Sequence, residues 1–314
     1  MVENIIEVEN LIKRYRKSKT NAVDDISFSV KKGEFFALLG PNGAGKTTTI
    51  SILSTTLSKT SGGVKVAGLD LDSKASEIRK RLGIIFQSPS LDFNLSAEEN
   101  IRFHAVLYGL YPYRPLYSLM PQEYRDQVEG LAGVLGIAGE LKKPVGSFSG
   151  GMKRKLEIVR SLMHSPDVLI LDEPTTGLDP ISRKNLWDYL RQVRKKNDMT
   201  ILLTTHYLEE AEEADNVYII NDGRIVAHGT PSELKQKLTQ EYVIFVTSEE
   251  KKLEQELEAK RLDFAYDDGE FRVRMEGHDI VRLIRSLKSP ISHFSLHSPS
   301  LEEAYFSIIE GEET

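Results

Sequence analysis

The chain has 314 residues, 40% hydrophobic and 28% charged; that length and balance fit about two globular domains and exclude disorder over most of its course. Cysteine is absent, which rules out disulfides and cysteine-ligated zinc or iron–sulfur centres. The net charge of -6 argues against unspecific nucleic-acid binding, no apolar run approaches the roughly 18 residues of a membrane span, and the acidic first nine residues do not read as a secretory signal.

Residues 35–39, Phe-Phe-Ala-Leu-Leu, form an apolar run that ends at Gly40. Residues 40–48 then read Gly40, Pro41, Asn42, Gly43, Ala44, Gly45, Lys46, Thr47, Thr48. This fits G-x-x-x-x-G-K-[ST], after a predicted strand and before a predicted helix, the context a phosphate loop requires. The glycines let the backbone wrap with its N–H groups pointing inward at phosphate oxygens. The predicted helix carries Ile50, Leu53 and Leu57 on one face, and its positive N-terminal end adds to phosphate binding. Lys46 is expected to reach the β- and γ-phosphates and Thr47 to offer its hydroxyl to Mg²⁺.

Between about 88 and 165 the pattern turns helical, with apolar residues at helical spacing over 123–135 and 152–163. The segment holds Tyr108, Tyr111, Tyr113 and Tyr117 beside Pro112 and Pro115. Such a cluster suits either local packing or a partner-docking surface.

Two further apolar runs follow. Residues 168–171 lead into Asp172 and Glu173, and residues 201–203 into Thr204, Thr205 and His206. Runs this short, apolar on both faces, read as buried parallel strands, and such sheets bind ligands at their carboxyl ends. Asp172 is placed as a magnesium-side carboxylate. Glu173 would polarise the attacking water, provided the strand end turns it away from the alternation of strand side chains. His206, at the same edge, is positioned to donate to the γ-phosphate.

After about 232 these chemical signals stop. The order strand (242–247), helix (248–260), two strands around Asp267-Asp268-Gly269, helix (279–287) and strand (291–296) is βαββαβ, as in ferredoxin-like modules. Ser300 and Glu303 form a capping box for a last helix through 309. The predicted division is an ATPase domain over 1–232, with its helical subdomain at about 88–165, and an accessory α+β domain over 233–314.

Taken together, residues 5–230 resemble an ATP-binding-cassette (ABC) ATPase, the nucleotide-binding subunit of a membrane transporter. Residues 40–48 match its Walker A motif and 168–173 its Walker B. Ser149-Gly150-Gly151-Met152 resembles the signature motif, with Phe148 and Met152 standing where Leu and Gln are usual. Gln87 fits the Q-loop, Gly177-Leu178-Asp179 the D-loop, His206 the switch histidine, and Tyr15 the aromatic that stacks on adenine. The resemblance implies an α/β P-loop NTPase fold with a mostly parallel core sheet, an antiparallel β part and a helical subdomain. It also implies ATP and Mg²⁺ as cofactors, with Thr47, Gln87 and Asp172 at the metal.

The signature has a physical logic of its own. Ser149 can cap the helix starting near Gly150, whose N-terminal amides make a second anion site. In the family this site binds the γ-phosphate held by a second ATP-binding subunit, identical or a paralogue. Met152, the run 153–155 and the tail Pro299-Ser300-Leu301-Glu302-Glu303 are similar to the drug-exporter (daunorubicin-resistance-like) branch. That branch implies an integral membrane permease as partner, a cytoplasmic position on the inner face of the membrane, and export. Ribosome-acting cassettes carry two phosphate loops and DNA-repair relatives carry long coiled coils; neither is here, so no nucleic acid is expected. A GTPase or kinase would leave the signature and His206 without a task.

Overall fold

The computed structural model describes residues 3–176, 178–238, 242–274, 280–297 and 300–311. Gly177, Asp279 and Pro299 lie outside them. The chain divides into two compact units, 1–228 and 229–314.

In chain order the first unit holds β1 (Asn4–Lys13), β2 (Val23–Lys31), β3 (Phe35–Leu39), α1 (Lys46–Leu53), β4 (Ser61–Val66), β5 (Leu69–Asp70), α2 (Ala75–Arg81) and β6 (Leu82–Ile85). The helical segment follows, with α3 (Ala97–Leu107), α4 (Gln122–Val134) and α5 (Gly150–Leu162). The unit closes with β7 (Val168–Asp172), α6 (Pro180–Asn197), β8 (Thr200–Thr205), α7 (Leu208–Ala211), β9 (Asn216–Asn221) and β10 (Arg224–Gly229).

A six-stranded sheet runs β10-β9-β3-β8-β7-β6, and a four-stranded sheet runs β2-β1-β4-β5. β3, β8, β7 and β6 pair in parallel, and β9 joins β3 in parallel. Every residue of β3, β7 and β8 is buried. Strands covered on both faces have no polar side to alternate with, which explains their unbroken apolar runs. The second sheet is antiparallel. One core joins both sheets to α1: Val8, Ile26 and Val66 share it with Phe36, Ile50 and Ile170, and Phe28 stacks on Phe36 at 5.2 Å between centroids.

The helix after the phosphate loop is shorter than its apolar spacing predicts. α1 stops at Leu53, because Thr55 sits at φ 63° and the hydroxyls of Ser54 and Thr56 take the carbonyl of Ser51. Leu57 therefore lies beyond the helix, although it still packs against the core.

In the helical segment Ser96 and Glu99 cap α3 reciprocally. Tyr124 is fully buried at its centre and donates to Glu98, which pairs with the buried Arg102 at 3.1 Å. Burial pushes the Glu98 carboxyl up, while Arg102 pulls it back. Tyr111 and Tyr117 pack edge-on against Tyr124, and Tyr108 stacks on His164. Three of the four clustered tyrosines are thus committed to local packing. Tyr113 stacks on Phe103 at the surface, and Leu107, Leu110, Leu116 and Leu119 are exposed nearby in sequence.

The second unit contains α8 (Pro231–Leu238), β11 (Tyr242–Thr247), α9 (Glu250–Ala259), β12 (Phe264–Asp267), β13 (Glu270–Arg274), α10 (Ile280–Ser286), β14 (Ile291–His297) and α11 (Leu301–Gly311). Its strands run β12-β13-β11-β14, all antiparallel, the ferredoxin-like order. Asp268 (φ 48°) and Gly269 (φ 84°) make the two-residue turn that matches strand twist. Val243, Phe245, Phe271 and Val273 face Leu253, Leu257 and Leu283 in a separate core. Ser300 and Glu303 form the capping box of α11.

Candidate functional site

The carboxyl ends of β3, β8 and β7 lie side by side, and each delivers part of one cluster. From β3 the chain enters the loop 40–45. A Cβ at Gly40 would sit 2.2 Å from the Ile220 carbonyl oxygen, and Gly45 turns at φ 107° with a Cβ position 2.5 Å from the Ala22 carbonyl. Both positions therefore demand glycine. α1 starts directly behind this loop, so its unpaired N–H groups and positive dipole end face the same edge.

Lys46 is almost fully buried. Its ammonium donates to the carbonyls of Gly40 (2.7 Å) and Pro41 (3.0 Å) and lies 3.8 Å from Glu173 Oε1. Burial pulls its pKa down, and the charges of Glu173 and Asp172 push it back up. Thr47 Oγ1 points at Asp172 Oδ1 across 3.4 Å. Thr204, from β8, donates to the same carboxylate oxygen. Asp172 is 1% exposed, and burial raises its pKa against the Thr204 hydrogen bond.

Glu173 solves the directional problem set by its neighbour. At φ 46° its backbone enters the left-handed region, so its side chain leaves the strand alternation and joins the Asp172 side of the sheet edge. Its N–H still bonds the Thr204 carbonyl at 3.0 Å. Gln87 Nε2 donates to Oε2 at 3.0 Å. His206 Nδ1 lies 3.2 Å from Oε1, without the alignment of a hydrogen bond. Lys46, Gln87 and His206 thus meet at the one carboxylate of Glu173. A non-glycine residue at positive φ costs of order 1–3 kcal/mol, and such strain gathers at functional sites.

Tyr15 stands at the rim, half exposed, with its hydroxyl 3.3 Å from Thr48 Oγ1. Asn42 and Gly43 are exposed on the loop.

The signature residues stand apart from this cluster. Ser149 Oγ accepts from Met152 N at 3.3 Å and caps α5. Ser149 and Gly150 are exposed. Gly151 approaches Leu178 and Ser182, and Asp179 caps α6 by accepting from Ser182 N at 2.9 Å. Among the described residues, no hydrogen bond or ion pair joins Ser149, Gly150, Gly151 or Asp179 to Lys46, Thr47, Asp172 or Glu173. One chain therefore presents two separate anion-suited surfaces.

Two residues of the site are not evident from motif spacing. Arg154 is 7% exposed, and its guanidinium holds the carbonyls of Pro174 (2.7 Å), Phe86 (2.6 Å), Asp172 (3.2 Å) and Glu173 (3.0 Å). Glu157 balances its charge at 3.1 Å. Burial pulls the Arg154 pKa down and Glu157 raises it. Glu210 accepts from Thr175 and from Thr205 (2.6 Å), tying the chain after Glu173 to the chain before His206. The sequence did hold a signal for the first: Arg154 shares a helical face with the buried Ile158 and Leu162.

The family model described as "ABC transporter" matches residues 23–176. The daunorubicin resistance ATP-binding protein DrrA3 of Streptomyces coeruleorubidus is 34% identical over 317 residues, covering 98% of this chain and 96% of that protein. The chain belongs to the ABC transporter family. Its cassette is an ATP-binding, ATP-hydrolysing one, built on the P-loop NTPase fold. A second relative of the cassette is YbhF of Escherichia coli (strain K12), named a probable multidrug ABC transporter ATP-binding protein. It is 36% identical over 233 residues, which are 74% of this chain and 38% of YbhF, so the cassette spans well under half of that relative. A solved structure titled "Structure of ATP binding subunit of ABC transporter" superposes with a TM-score of 0.65 at 32% identity, covering 74% of this chain and 92% of that one.

Proposed function

We propose that this chain is the ATP-hydrolysing subunit of an exporter whose membrane-spanning part is a separate chain. The observation that carries the reading is the convergence of Lys46, Gln87 and His206 on the turned carboxylate of Glu173, beside the buried pair Thr47 and Asp172. No helix among the described residues is long and apolar enough to cross a membrane. The exposed apolar side chains between Phe103 and Leu119 supply a surface for a membrane permease on the cytoplasmic face. Export follows the drug-resistance and multidrug names of the relatives.

In this reading the loop amides of residues 40–48 and the Lys46 ammonium hold the β- and γ-phosphates of ATP, and Tyr15 stacks on the adenine. A hard cation suits the oxygen donors at this edge: Thr47 Oγ1 and Asp172 Oδ1 already face each other, and the Gln87 amide stands close by. These three residues would hold Mg²⁺, which neutralises phosphate charge. Glu173 orients a water on the γ-phosphorus and takes its proton as the new P–O bond forms and the bond to the β–γ bridging oxygen breaks. His206 donates to the γ-phosphate oxygens, and ADP and phosphate leave. The exposed Ser149 hydroxyl and the Gly150 and Gly151 amides bind the γ-phosphate held by a second cassette, identical or a paralogue. Asp179 lies at the same contact. Two cassettes thereby close on two ATP molecules, and hydrolysis releases them.

Calorimetry tests the phosphate assignment. Lys46→Ala is expected to weaken MgATP binding at least tenfold, a loss of about 1.4 kcal/mol or more. Unchanged affinity would remove Lys46 from the phosphates and the reading with it.

A further inference from the structure

The amino ends of β7 and β8, opposite the nucleotide edge, border a cleft of about 580 Å³ between α4 and α6. The volume is that of a small-molecule pocket. Leu131, Leu162, Val193 and Met199 give it an apolar lining.

Three features mark the cleft as built for a ligand. Tyr189 lines it, is 4% exposed, and its hydroxyl has no hydrogen-bond partner among the described residues. Burial raises its pKa, so it stays a donor. A buried donor without a partner costs stability that a ligand's acceptor would return. Gly130 lies inside α4, where glycine weakens a helix, and its φ is unexceptional. A Cβ there would meet nothing within 4 Å, so no close packing calls for it; what the missing side chain leaves is room at the rim. The third feature is charge. Lys32 pairs with Asp198 at 3.6 Å and Arg81 with Asp167 at 3.5 Å, but among the described residues Asp126 meets only the neutral Gln122 amide, at 2.6 Å. Among those residues the rim therefore keeps one carboxylate with no cation on it.

We propose that this cleft binds a small apolar cation that packs on the apolar wall, accepts a hydrogen bond from Tyr189 and places its positive charge by Asp126. The site is separate from the nucleotide cluster, and its occupant bridges α4 of the helical segment to α6, the helix that Asp179 caps.

Berberine is a suitable probe: a flat aromatic cation with ether oxygens, brighter in apolar surroundings. Titrated into the full chain, it is expected to bind saturably at one site. Gly130→Phe should weaken binding more than tenfold by filling the rim, with its melting temperature held or raised. Tyr189→Phe should weaken it about fivefold, the loss of one neutral hydrogen bond. Asp126→Asn should weaken it and lower its salt dependence. Should Gly130→Phe not fold, the other two variants decide. MgATP affinity is expected to stay constant in all three. Absence of saturable binding, equal binding by Gly130→Phe, indifference to both other variants, or tighter binding of the anionic 1-anilinonaphthalene-8-sulfonate would each overturn the proposal.

Discussion

Glu173→Gln is expected to cut the rate of ATP hydrolysis by about 10²–10⁴-fold, the usual contribution of a positioned general base. MgATP affinity should stay close to that of the wild type. The separation follows from the geometry. Phosphate binding rests on the loop backbone, Lys46 and Thr47, whereas Glu173 contributes its carboxylate to the space that Gln87 and His206 also face. Glutamine keeps the shape and one acceptor oxygen but cannot take a proton. Its φ of 46° is no more costly than that of glutamate, so folding is spared. A phosphate-release assay beside calorimetry checks both halves. Retention of more than a tenth of the turnover would mean that another group activates the water.

Arg154→Met should be strongly destabilising. It removes the donors that hold four backbone carbonyls, from Phe86 and from residues 172–174, and strips Glu157 of its counter-charge. Glu157 is 1% exposed and, among the described residues, would keep one hydrogen bond, from Ser90 N, and the more distant charge of Arg160. Breaking one side of a buried ion pair costs roughly 3–5 kcal/mol. For a unit of this size that lowers the melting temperature by on the order of 10 °C. Turnover of the folded fraction should also fall, because the backbone of Glu173 and the segment leading to Gln87 lose the group that joins them. Arg154→Lys should be intermediate, since one ammonium cannot serve four carbonyls in a plane. A melting temperature within 2 °C of the wild type would show that the clamp is dispensable.

The legible parts of this sequence are those where one residue type has one physical reason. β3, β7 and β8 are apolar on both faces, so they announce themselves as parallel strands, and their ends mark the sheet edge. The glycines at 40 and 45 answer to carbonyls 2.2 and 2.5 Å from any Cβ, which is why the loop motif is so specific. The βαββαβ order of the second unit was readable from its hairpin turn and alternating runs.

What escaped is decided by distant contacts. The direction of Glu173 depends on a backbone angle that no local pattern encodes. Arg154 sits between two lysines; its helical face with Ile158 and Leu162 hints at its burial, but the carbonyls it holds come from segments distant in sequence. Leu57 continued the apolar spacing of α1, yet the hydroxyls of Ser54 and Thr56 end that helix a turn earlier. Tyr111 and Tyr117 pack locally because Tyr124, placed on α4, offers them an edge, and Tyr108 because His164 offers it a ring face.

In the proposed function, Ser149 and its helix end complete the nucleotide site of a second cassette. The most direct test is the solution mass of Glu173→Gln by light scattering, with and without saturating MgATP. The expected masses are the 35.4 kDa of a single chain without nucleotide, twice that with it, and the single-chain value again when Ser149→Arg is added. A single-chain mass under saturating MgATP, or a dimer indifferent to Ser149→Arg, would contradict that arrangement.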